Sequence, residues 1–400
     1  MEAIYRHVLG DVDRGLWTDS WAASEDSLPL AAGTDWHVTK ETLRGGTQDG
    51  VDIVEIDNGA LSFTVVPTRG MGIWKGCYRG MRLGWDSPVR DLVHPSLVEA
   101  NDRGGLGWLK GFNEWIVRCG LDSNGAPGVD VVIDNNGNPS EVFVPLHGKI
   151  ANIPARYLEV QISQHLPHRI TVVGVVDETM MFGTALRLET AISTTLGSNA
   201  LTIVDSVTNL NRKPAEFELL YHCNYGPPLL ESGSTLVTPH KVVCPRDARA
   251  AEGFDTVDSF TSPQSGFVEQ CYFYELAGRP RTRQTAVLLK SREGSLGSSL
   301  HFSLSDLPCF TLWKNTAARD DGYVIGLEPA TNYPNPKSFE RDRGRVIVLD
   351  GGETRRIELT VAAHATRKGV REAERAIKQI RKRVKPRASR KPIGRLSDSA

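Results

Sequence analysis

Side chains that can take part in proton transfer lie at the ends of three apolar segments of the chain. His147 and Lys149 follow the first apolar run, and His222 and Asn224 follow the second. Glu328 follows the third. The segments that contain these runs are VPLHGKIANIP (144–154), ELLYHCNYGPPLL (218–230) and YVIGLEPATNYPNP (323–336). Because a rigid sheet holds strand-end side chains at fixed separations, these groups can serve one cleft if the strands are neighbours.

His222 and Glu328 have the residue types of a general acid and a general base. A histidine has a reference pKa of about 6.5, so its imidazole gives or takes a proton near neutral pH. Glu328 follows an apolar strand and precedes Pro329, which has no backbone N–H to donate. Partial burial would raise the pKa of this carboxyl above about 4.3 and make it a better base. The residues therefore predict an acid–base pair.

Two other interpretations of these residues stay open at this point. A histidine or glutamate at a strand end is often a structural, hydrogen-bonded group. His147, His222 and Glu328 could also form a His₂Glu zinc set. However, their spacing is non-local, and no HxH or HExxH motif occurs. We therefore expect no metal at this site.

The elements that must position these groups read as strands. Alternation of apolar and polar residues predicts a hairpin over 185–210 and another over 344–364, turning at an Asp-Gly pair. The segment 59–80 reads as two strands around a glycine-rich bend. Helical periodicity is nearly absent before RKGVREAERAIKQIRKRV. The pattern predicts an all-β protein built as a large antiparallel sandwich.

The charge distribution divides the chain into an acidic body and a basic end. Between Arg367 and Lys391 there are twelve Lys or Arg and two Glu, a local charge of +10, so the remainder carries −11 of the total of −1. We expect one domain over 1–365. Residues 366–400 are predicted to form a short basic helix followed by a disordered tail. No interleaved aromatic residues support nucleic-acid binding.

Composition indicates a cytoplasmic protein. No apolar run reaches the roughly 18 residues that a membrane helix needs, and the first 15 residues lack an apolar signal core. The six cysteines are widely spaced and none forms a CxxC pair, which favours buried, reduced thiols. The glycine-rich segments RGMGIWKGCYRG and RGGLGWLKG are not followed by a helical pattern, so a dinucleotide-binding loop is not indicated.

Several segments taken together resemble the galactose mutarotase (aldose 1-epimerase) superfamily, and more closely its DUF4432-type branch. These segments are YHCNYGPPLL, GLEPATNYPNP, PTRGMGI (67–73), GWLKGFNEWIVRCGLD (107–122) and PLHGKIANIPA (145–155). The resemblance covers about residues 50 to 365. It implies an antiparallel β-supersandwich with a carbohydrate cleft on one face. It also implies interconversion of sugar anomers without a cofactor or a metal.

The resemblance assigns roles to individual positions. It implies that His222 is the general acid and Glu328 the general base, placed on opposite sides of the sugar. His147 would contact the sugar, and Arg69 and Glu269 would take the places of a substrate-binding arginine and a sugar-binding acid. We also place Lys149, Asn224 and Trp313 among the substrate-binding residues. The aromatic side chains that could stack on a pyranose are Trp108, Trp115, Trp313 and Tyr333.

Two cations differ from the pattern expected of the branch and suggest an acidic substrate. Arg118 and Lys149 both lie in segments near the expected cleft, so together they favour a uronate or a sugar phosphate. The expected partner is therefore a small carbohydrate. We expect neither a nucleic acid nor a membrane as a partner, and we expect the protein to be a monomer or a homodimer. A non-catalytic carbohydrate-binding domain is an alternative. So is a lyase or epimerase acting on an oxidised sugar, since fold analogy does not separate these activities.

Overall fold

The computed structural model describes residues 4–30, 33, 35–382 and 384–399. The strands of the first half are β1 (Ile4–Asp11), β2 (Leu16–Trp17), β3 (Trp21–Ser24), β4 (His37–Thr42), β5 (Asp52–Asp57), β6 (Leu61–Val66), β7 (Gly72–Tyr78), β8 (Met81–Leu83), β9 (Ile116–Leu121), β10 (Gly128–Ile133), β11 (Pro139–Val144), β12 (Tyr157–Ser163), β13 (Arg169–Thr179) and β14 (Ala185–Thr195). Those of the second half are β15 (Ala200–Asn209), β16 (Ala215–Tyr225), β17 (Thr235–Val237), β18 (His240–Pro245), β19 (Gln270–Leu276), β20 (Gln284–Lys290), β21 (Gly297–Ser303), β22 (Cys309–Thr316), β23 (Tyr323–Ala330), β24 (Ile347–Leu349), β25 (Thr354–His364) and β26 (Arg387–Ala388).

Helices are few and short in the described part of the chain. The α-helices are α1 (Asp102–Gly105), α2 (Ala248–Glu252), α3 (Lys337–Asp342) and α4 (Arg367–Arg381). Single 3₁₀ turns occur at Val12–Arg14, Gly46–Gln48, Pro95–Leu97, Gly107–Gly111, Ile150–Asn152, Phe254–Thr256 and Arg319–Asp321. None of these helices is long and apolar enough to cross a bilayer. The prediction of an all-β fold is therefore confirmed.

The strands form two large sheets and a separate two-stranded hairpin. Sheet 1 has the order β17-β20-β21-β25-β15-β14-β13-β12-β1-β2. Sheet 2 has the order β26-β18-β19-β22-β23-β16-β9-β7-β6-β5-β4-β3, with β24 beside β16 and β8 beside β7. The hairpin is β10–β11. Neighbouring strands run antiparallel, apart from the short parallel pair β18–β26.

The core lies between the two sheets because apolar residues alternate along the strands. Strands β14 and β15 bury every second residue, so their inward side chains, such as Leu188 and Ile203, pack against Phe217 of sheet 2. Burying one such side chain contributes about 1.5–3 kcal/mol. The predicted hairpin over 185–210 is confirmed as β14–β15, and the pair predicted over 59–80 is confirmed as β6–β7.

The predicted hairpin over 344–364 is wrong. Strand β24 pairs with β16 in sheet 2, whereas β25 pairs with β15 and β21 in sheet 1. The connection instead binds Asn209, whose side-chain amide donates to the carbonyls of Leu349 and Asp350. The Asp-Gly turn therefore carries the chain from one sheet to the other.

The basic helix is confirmed, but the prediction of a disordered tail is not supported by the structure. Helix α4 begins at a cap in which Thr366 Oγ1 accepts from the amide of Gly369 at 3.1 Å. After it, β26 pairs with β18, and Leu396 is buried in a cluster with Phe273 and Tyr333. The apolar residues Ile393 and Leu396 of this segment, spaced among basic ones, pack in this cluster. The boundary of the main domain at residue 365 stays a prediction.

Candidate functional site

His222 and Glu328 face each other on adjacent strands of sheet 2. The β16–β23 register pairs Leu220 with Ala330 and Cys223 with Leu327, so His222 lies opposite Glu328. His222 Nε2 is 3.2 Å from Glu328 Oε1, and both side chains are almost fully buried. Glu328 Oε1 has no hydrogen-bond partner among the described residues, so its contact with His222 is close but is not a hydrogen bond. The structure therefore brings the predicted acid–base pair together on the sheet face away from the core.

Glycine at position 326 makes this close approach possible. Gly326 lies on β23, next to Asn224 of β16. A Cβ atom there would be 2.7 Å from His222 Cε1 and 2.8 Å from Glu328 Oε1. A glycine inside a strand often marks a site where other groups approach closely. That signal was present in the sequence, where Gly326 interrupts an apolar strand, and our sequence analysis missed it.

Asn224 fixes the tautomer of His222. Its Nδ2 donates to the carbonyls of Glu114 (2.9 Å) and His222 (3.1 Å), so its Oδ1 must be the atom 2.6 Å from His222 Nδ1. Nδ1 therefore carries a hydrogen, and Nε2 points to Glu328. Because Asn224 uses both ends of its amide inside the protein, it positions His222; a substrate contact by this side chain remains a prediction.

Burial sets the protonation of the pair. Removal from water lowers the pKa of His222, and the neighbouring His147 lowers it further. Removal from water also raises the pKa of Glu328, and the negative charge of Glu269 raises it further. Both shifts favour a neutral imidazole beside a protonated carboxyl. The imidazole of His222 is then the proton acceptor of the pair, and the carboxyl of Glu328 is the proton donor.

His147 lies beside the pair, as predicted. Its ring centroid is 5.5 Å from that of His222 and 4.6 Å from that of Trp108. Its Nδ1 contacts the carbonyl oxygen of Asn124 at 2.8 Å, and burial lowers the pKa of the imidazole to about 4. His147 is therefore neutral at pH 7, with Nδ1 donating to this carbonyl and Nε2 left as an acceptor.

A buried polar network holds the backbone that positions His147. Glu218 accepts hydrogen bonds from the amide of Asn124 and from Asn332 Nδ2, both at 2.9 Å. Asn124 Nδ2 donates to Asn332 Oδ1 at 2.9 Å. Burial raises the pKa of Glu218 to about 8. Asn124 was not identified from the sequence, because its role depends on contacts between three distant segments.

Aromatic side chains surround the imidazole of His222. The ring centroids of Phe112, Trp313 and Trp108 lie 5.2, 5.4 and 6.1 Å from that of His222. Trp108 Nε1 is buried and has no hydrogen-bond partner in the described part of the chain. Two of the four predicted stacking residues, Trp108 and Trp313, are thus at the site.

The other two predicted stacking residues lie elsewhere. Trp115 packs in the main core against Tyr225. Tyr333 donates its hydroxyl to the carbonyl of Tyr274 and packs on Phe273. Both side chains therefore contribute to packing and do not line the site.

Glu269 forms the solvent-facing rim of the site. Its side chain is 45% exposed, and it accepts from Trp313 Nε1 at 2.6 Å and from Arg246 Nη2 at 3.2 Å. The carboxylate therefore orients the Trp313 ring and is open to a ligand. Arg246, which our sequence analysis did not single out, belongs to the same rim.

Arg69 lies beneath the site and has internal partners. Its Nε donates to Glu114 Oε1 at 2.7 Å, and its Nη atoms donate to the carbonyls of Val93 and Gly111 and to Asn152 Oδ1. Only 1% of this residue is exposed. The placement does not support the predicted contact with substrate. It supports a positioning role, because Arg69 holds the side chain of Glu114, and the backbone carbonyl of Glu114 accepts from the Asn224 amide that holds His222.

The two cations that suggested an acidic sugar are not at the His222–Glu328 pair. Arg118 faces the core, where Asp205 of sheet 1 accepts from its Nε at 2.6 Å and from its Nη2 at 2.9 Å. Lys149 is exposed and lines a different cavity. Neighbours on a strand point to opposite faces, so Val117 faces the site while Arg118 does not. The charge argument for an acidic substrate is therefore wrong.

The metal interpretation has no support in the geometry. Among the residues that the structure describes, no group of three or more His, Cys, Asp or Glu side chains could hold a metal ion. His147 uses its Nδ1 on Asn124, and His222 uses its Nδ1 on Asn224.

Residues 48–363 match the model of a family described as a domain of unknown function, DUF4432. The chain belongs to the DUF4432 family. Among solved structures, this DUF4432 chain is similar to a candidate aldose 1-epimerase from Klebsiella pneumoniae, with 31% identity and a TM-score of 0.91 over 98% of this chain and 99% of that one. No curated protein matches the chain.

More distant structures share the fold of this DUF4432 chain. A galactose mutarotase-like protein from Clostridium acetobutylicum is 14% identical, with a TM-score of 0.55 over 87% of this chain and 99% of that one. A candidate aldose 1-epimerase from Escherichia coli K12 is 15% identical, with a TM-score of 0.52 over 79% of this chain and all of that one. The DUF4432 chain has the galactose mutarotase-like fold, as the sequence resemblance implied.

Proposed function

We propose that this DUF4432 protein is an aldose 1-epimerase-like enzyme that interconverts the anomers of a sugar by proton transfer through His222 and Glu328. The observation that supports this most directly is the 3.2 Å contact between the imidazole of His222 and the carboxyl of Glu328 in a buried, aromatic-lined site. A protein that only binds sugars has no need of such a matched pair.

The reaction needs one group that accepts a proton and one that donates a proton. In the protonation state that burial favours, neutral His222 takes the proton of the anomeric hydroxyl and protonated Glu328 gives a proton to the ring oxygen. These roles are the reverse of those that the resemblance implied. The C1–O5 bond breaks as the C1 carbonyl forms; rotation about C1–C2 and the reverse transfers then give the other anomer. Since the pair holds one proton before and after, the cycle needs no other reactant.

The two groups act from one side of the sugar in this proposal, and not from opposite sides as the resemblance implied. The anomeric and ring oxygens are bonded to the same carbon, so neighbouring donors and acceptors on one sheet face can reach both. The carboxylate of Glu269 is then available to sugar hydroxyls, and the ring of Trp313 to an apolar sugar face.

Anomer exchange measured by NMR magnetisation transfer tests the proposal. Wild type should accelerate exchange for at least one member of a panel of neutral and acidic aldoses. Glu328→Gln and His222→Gln should each lower the rate by about 10²–10⁴-fold, since each removes one partner of the proton transfer. The matched controls Glu372→Gln and His165→Gln, at exposed positions, should keep the wild-type rate.

The same experiment can overturn the proposal. If wild type binds a sugar but accelerates exchange for none, the site is a carbohydrate-binding site or acts on an oxidised sugar. If the rate survives both substitutions, the pair is structural. Thermal unfolding of each variant shows whether a lost rate reflects chemistry or lost folding.

A further inference from the structure

The C-terminal segment, residues 393–399, packs on the sheet face that carries the candidate site. Alternate residues of a strand share a face. On this face the strand registers align Phe273, Thr311, Glu328 and His222 in one row across β19, β22, β23 and β16. The row begins at the acid–base pair and ends at Phe273. Phe273 is therefore the point at which this face of sheet 2 meets the C-terminal segment.

Leu396 gives the C-terminal segment its apolar contact with this face. Its side chain is almost fully buried, and Ile393 packs beside it. The cluster that they complete also contains Cys244, Phe273, Cys309 and Tyr333. Cys309 and Thr311 are two residues apart on β22, so they share a face. The C-terminal segment therefore covers the sheet directly beside the row of site residues.

A series of contacts joins the C-terminal segment to the imidazole of His222. Ser397 Oγ donates to the backbone carbonyl of Arg246. Arg246 Nη2 donates to Glu269 Oε1 at 3.2 Å, and Glu269 Oε2 accepts from Trp313 Nε1 at 2.6 Å. The ring centroid of Trp313 lies 5.4 Å from that of His222. Ser397 is therefore connected to the site through the rim residues.

A second set of contacts joins the C-terminal segment to the loop that follows Glu328. The carbonyl of Leu396 accepts from Asn335 Nδ2 at 2.9 Å, and the amide of Asp398 donates to Asn335 Oδ1 at 3.4 Å. Asn335 is buried and lies seven residues after Glu328. The segment therefore binds two chain segments that border the site, one at Arg246 and one at Asn335.

Loss of these contacts would leave buried groups without partners. The amide of Arg246 donates to the carbonyl of Cys271 on β19, so the sheet holds one side of this residue and Ser397 holds the other. A buried polar group that loses its hydrogen bond is destabilised, and a cluster that loses Leu396 is opened to water. The segments at Arg246 and Asn335 would then relax away from their present positions.

We propose that the C-terminal segment is a positioning element of the candidate site. Leu396 and Ser397 are its positioning residues. They hold Arg246 and the loop after Glu328, and in this way they keep the rim of Glu269 and Trp313 in place. The expected effect on sugar turnover rests on the function proposed above, whereas the expected effect on the rim does not.

Thiol labelling of the full chain tests the contact of the segment with the sheet, without any sugar. Leu396→Ala should make Cys244 and Cys309 react with a thiol reagent at least tenfold faster, because opening of the segment exposes them. Cys119 is equally buried but lies in a different cluster, so its rate should stay as in wild type. Mass spectrometry of the labelled peptides distinguishes the thiols.

The NMR signal of the Trp313 indole N–H, assigned with Trp313→Phe, tests the position of the rim. Ser397→Ala and Leu396→Ala should each shift this signal and speed exchange of its hydrogen severalfold, because the bond to Glu269 is loosened. The control Ser389→Ala removes an exposed hydroxyl that donates only to the carbonyl of Lys391 and should leave the signal unchanged.

The dependence of anomer exchange on sugar concentration tests the effect on the site. Leu396→Ala should raise KM at least tenfold and Ser397→Ala severalfold, with a smaller change in kcat. The reason is that Glu269 and Trp313 are proposed to bind the sugar and not to transfer protons. Ile377→Ala removes an equally buried apolar side chain from α4, on the side of sheet 1, and should keep the wild-type KM.

The outcomes separate this proposal from the proposed function. If wild type accelerates exchange of no sugar, the proposed function fails, and the thiol rates and the Trp313 signal still decide the positioning. If these rates and this signal are the same in wild type, Leu396→Ala and Ser397→Ala, the positioning proposal is wrong even when wild type is active. It is also wrong if Ile377→Ala raises KM as much as Leu396→Ala, because lost stability would then explain both.

Discussion

Removal from water changes the protonation of two buried carboxyls and two buried histidines around the site. In the folded protein the pKa values of Glu328 and Glu218 are raised to about 8 from an ordinary value of 4.5. Those of His222 and His147 are lowered from 6.5, to about 4 for His147. Each shift makes folding stability depend on pH, because the folded and unfolded chains bind protons differently.

The signs of these effects oppose each other only in part. A carboxyl whose pKa is raised in the folded state stabilises the fold below pH 4.5, and this stabilisation is lost as the pH rises towards 8. A histidine with a lowered folded pKa destabilises the fold at low pH, and this effect disappears as pH rises to 6.5. Between pH 4.5 and 6.5 the changes in stability due to the two carboxyls and to the two histidines largely cancel. Above pH 6.5, the stability contribution of the carboxyls still changes with pH, while that of these histidines does not.

We therefore predict that the free energy of unfolding falls between pH 6.5 and pH 8, by about 1–2 kcal/mol for each of Glu328 and Glu218. Urea denaturation at the two pH values measures it. Glu328→Gln, which stays neutral, should remove its share of the decrease, while the exposed control Glu372→Gln should not. An identical pH dependence in wild type and Glu328→Gln would contradict the protonation states described here.

Sequence reasoning identified His222, Glu328 and His147 because strand-end polar residues after apolar runs carry a recognisable pattern. It failed for Arg118, which it placed near the cleft, and the buried position of Arg69 does not support the substrate contact predicted for that residue. Alternation along a strand assigns its residues to two faces. It does not show which face packs against the core when the buried face carries a charged residue. Arg118 is tolerated there because Asp205 of the other sheet neutralises it.

At the scale of elements, the adjacent strands β16 and β23 determine the geometry of the acid–base pair. Their register places His222 opposite Glu328, and Gly326 leaves room between them. Gly326→Ala should push the two side chains apart, lower the rate of anomer exchange at least tenfold, and change the unfolding free energy by only about 1–3 kcal/mol. Exchange rates and urea denaturation of the same preparation separate these effects.

Gly128→Ala is a suitable control for this substitution. A Cβ at Gly128, also in a strand, would have its nearest neighbour at 3.6 Å, an ordinary contact. Gly128→Ala should leave the rate of anomer exchange unchanged. A Gly326→Ala protein as active as wild type would show that the pair does not need its present separation.

The segment after α4 is ordered although its basic composition predicted disorder. Leu396 is buried, and its carbonyl accepts from Asn335 Nδ2 at 2.9 Å, in the loop that follows Glu328. Leu396→Ala should lower the unfolding free energy by about 2–5 kcal/mol. Arg390→Ala breaks only an exposed pair with Asp255 and should leave the unfolding free energy nearly unchanged. Equal, small effects in both would favour the disordered tail that the composition predicted.

The alternating pattern was sufficient to predict the class of the whole molecule, but not how its parts are joined. The pattern of 344–364 is the same whether the two strands pair with each other or with different sheets, because a turn signal is local. The cavity that Lys149 lines combines segments near residues 123, 143, 149 and 181, so no single segment indicated it. Features that depend on such distant contacts require the three-dimensional structure.

The pairing of β16 with β23 also has a kinetic consequence. These strands are separated by about a hundred residues, whereas β13, β14 and β15 form by consecutive turns, and non-local pairings form more slowly than local ones. We expect pulsed hydrogen exchange during refolding to protect the amides of β14 and β15 before those of β16 and β23. Simultaneous protection would contradict this order. In the expected order, a refolding chain acquires most of sheet 1 while His222 and Glu328 are still apart, so only late intermediates could carry the proposed chemistry.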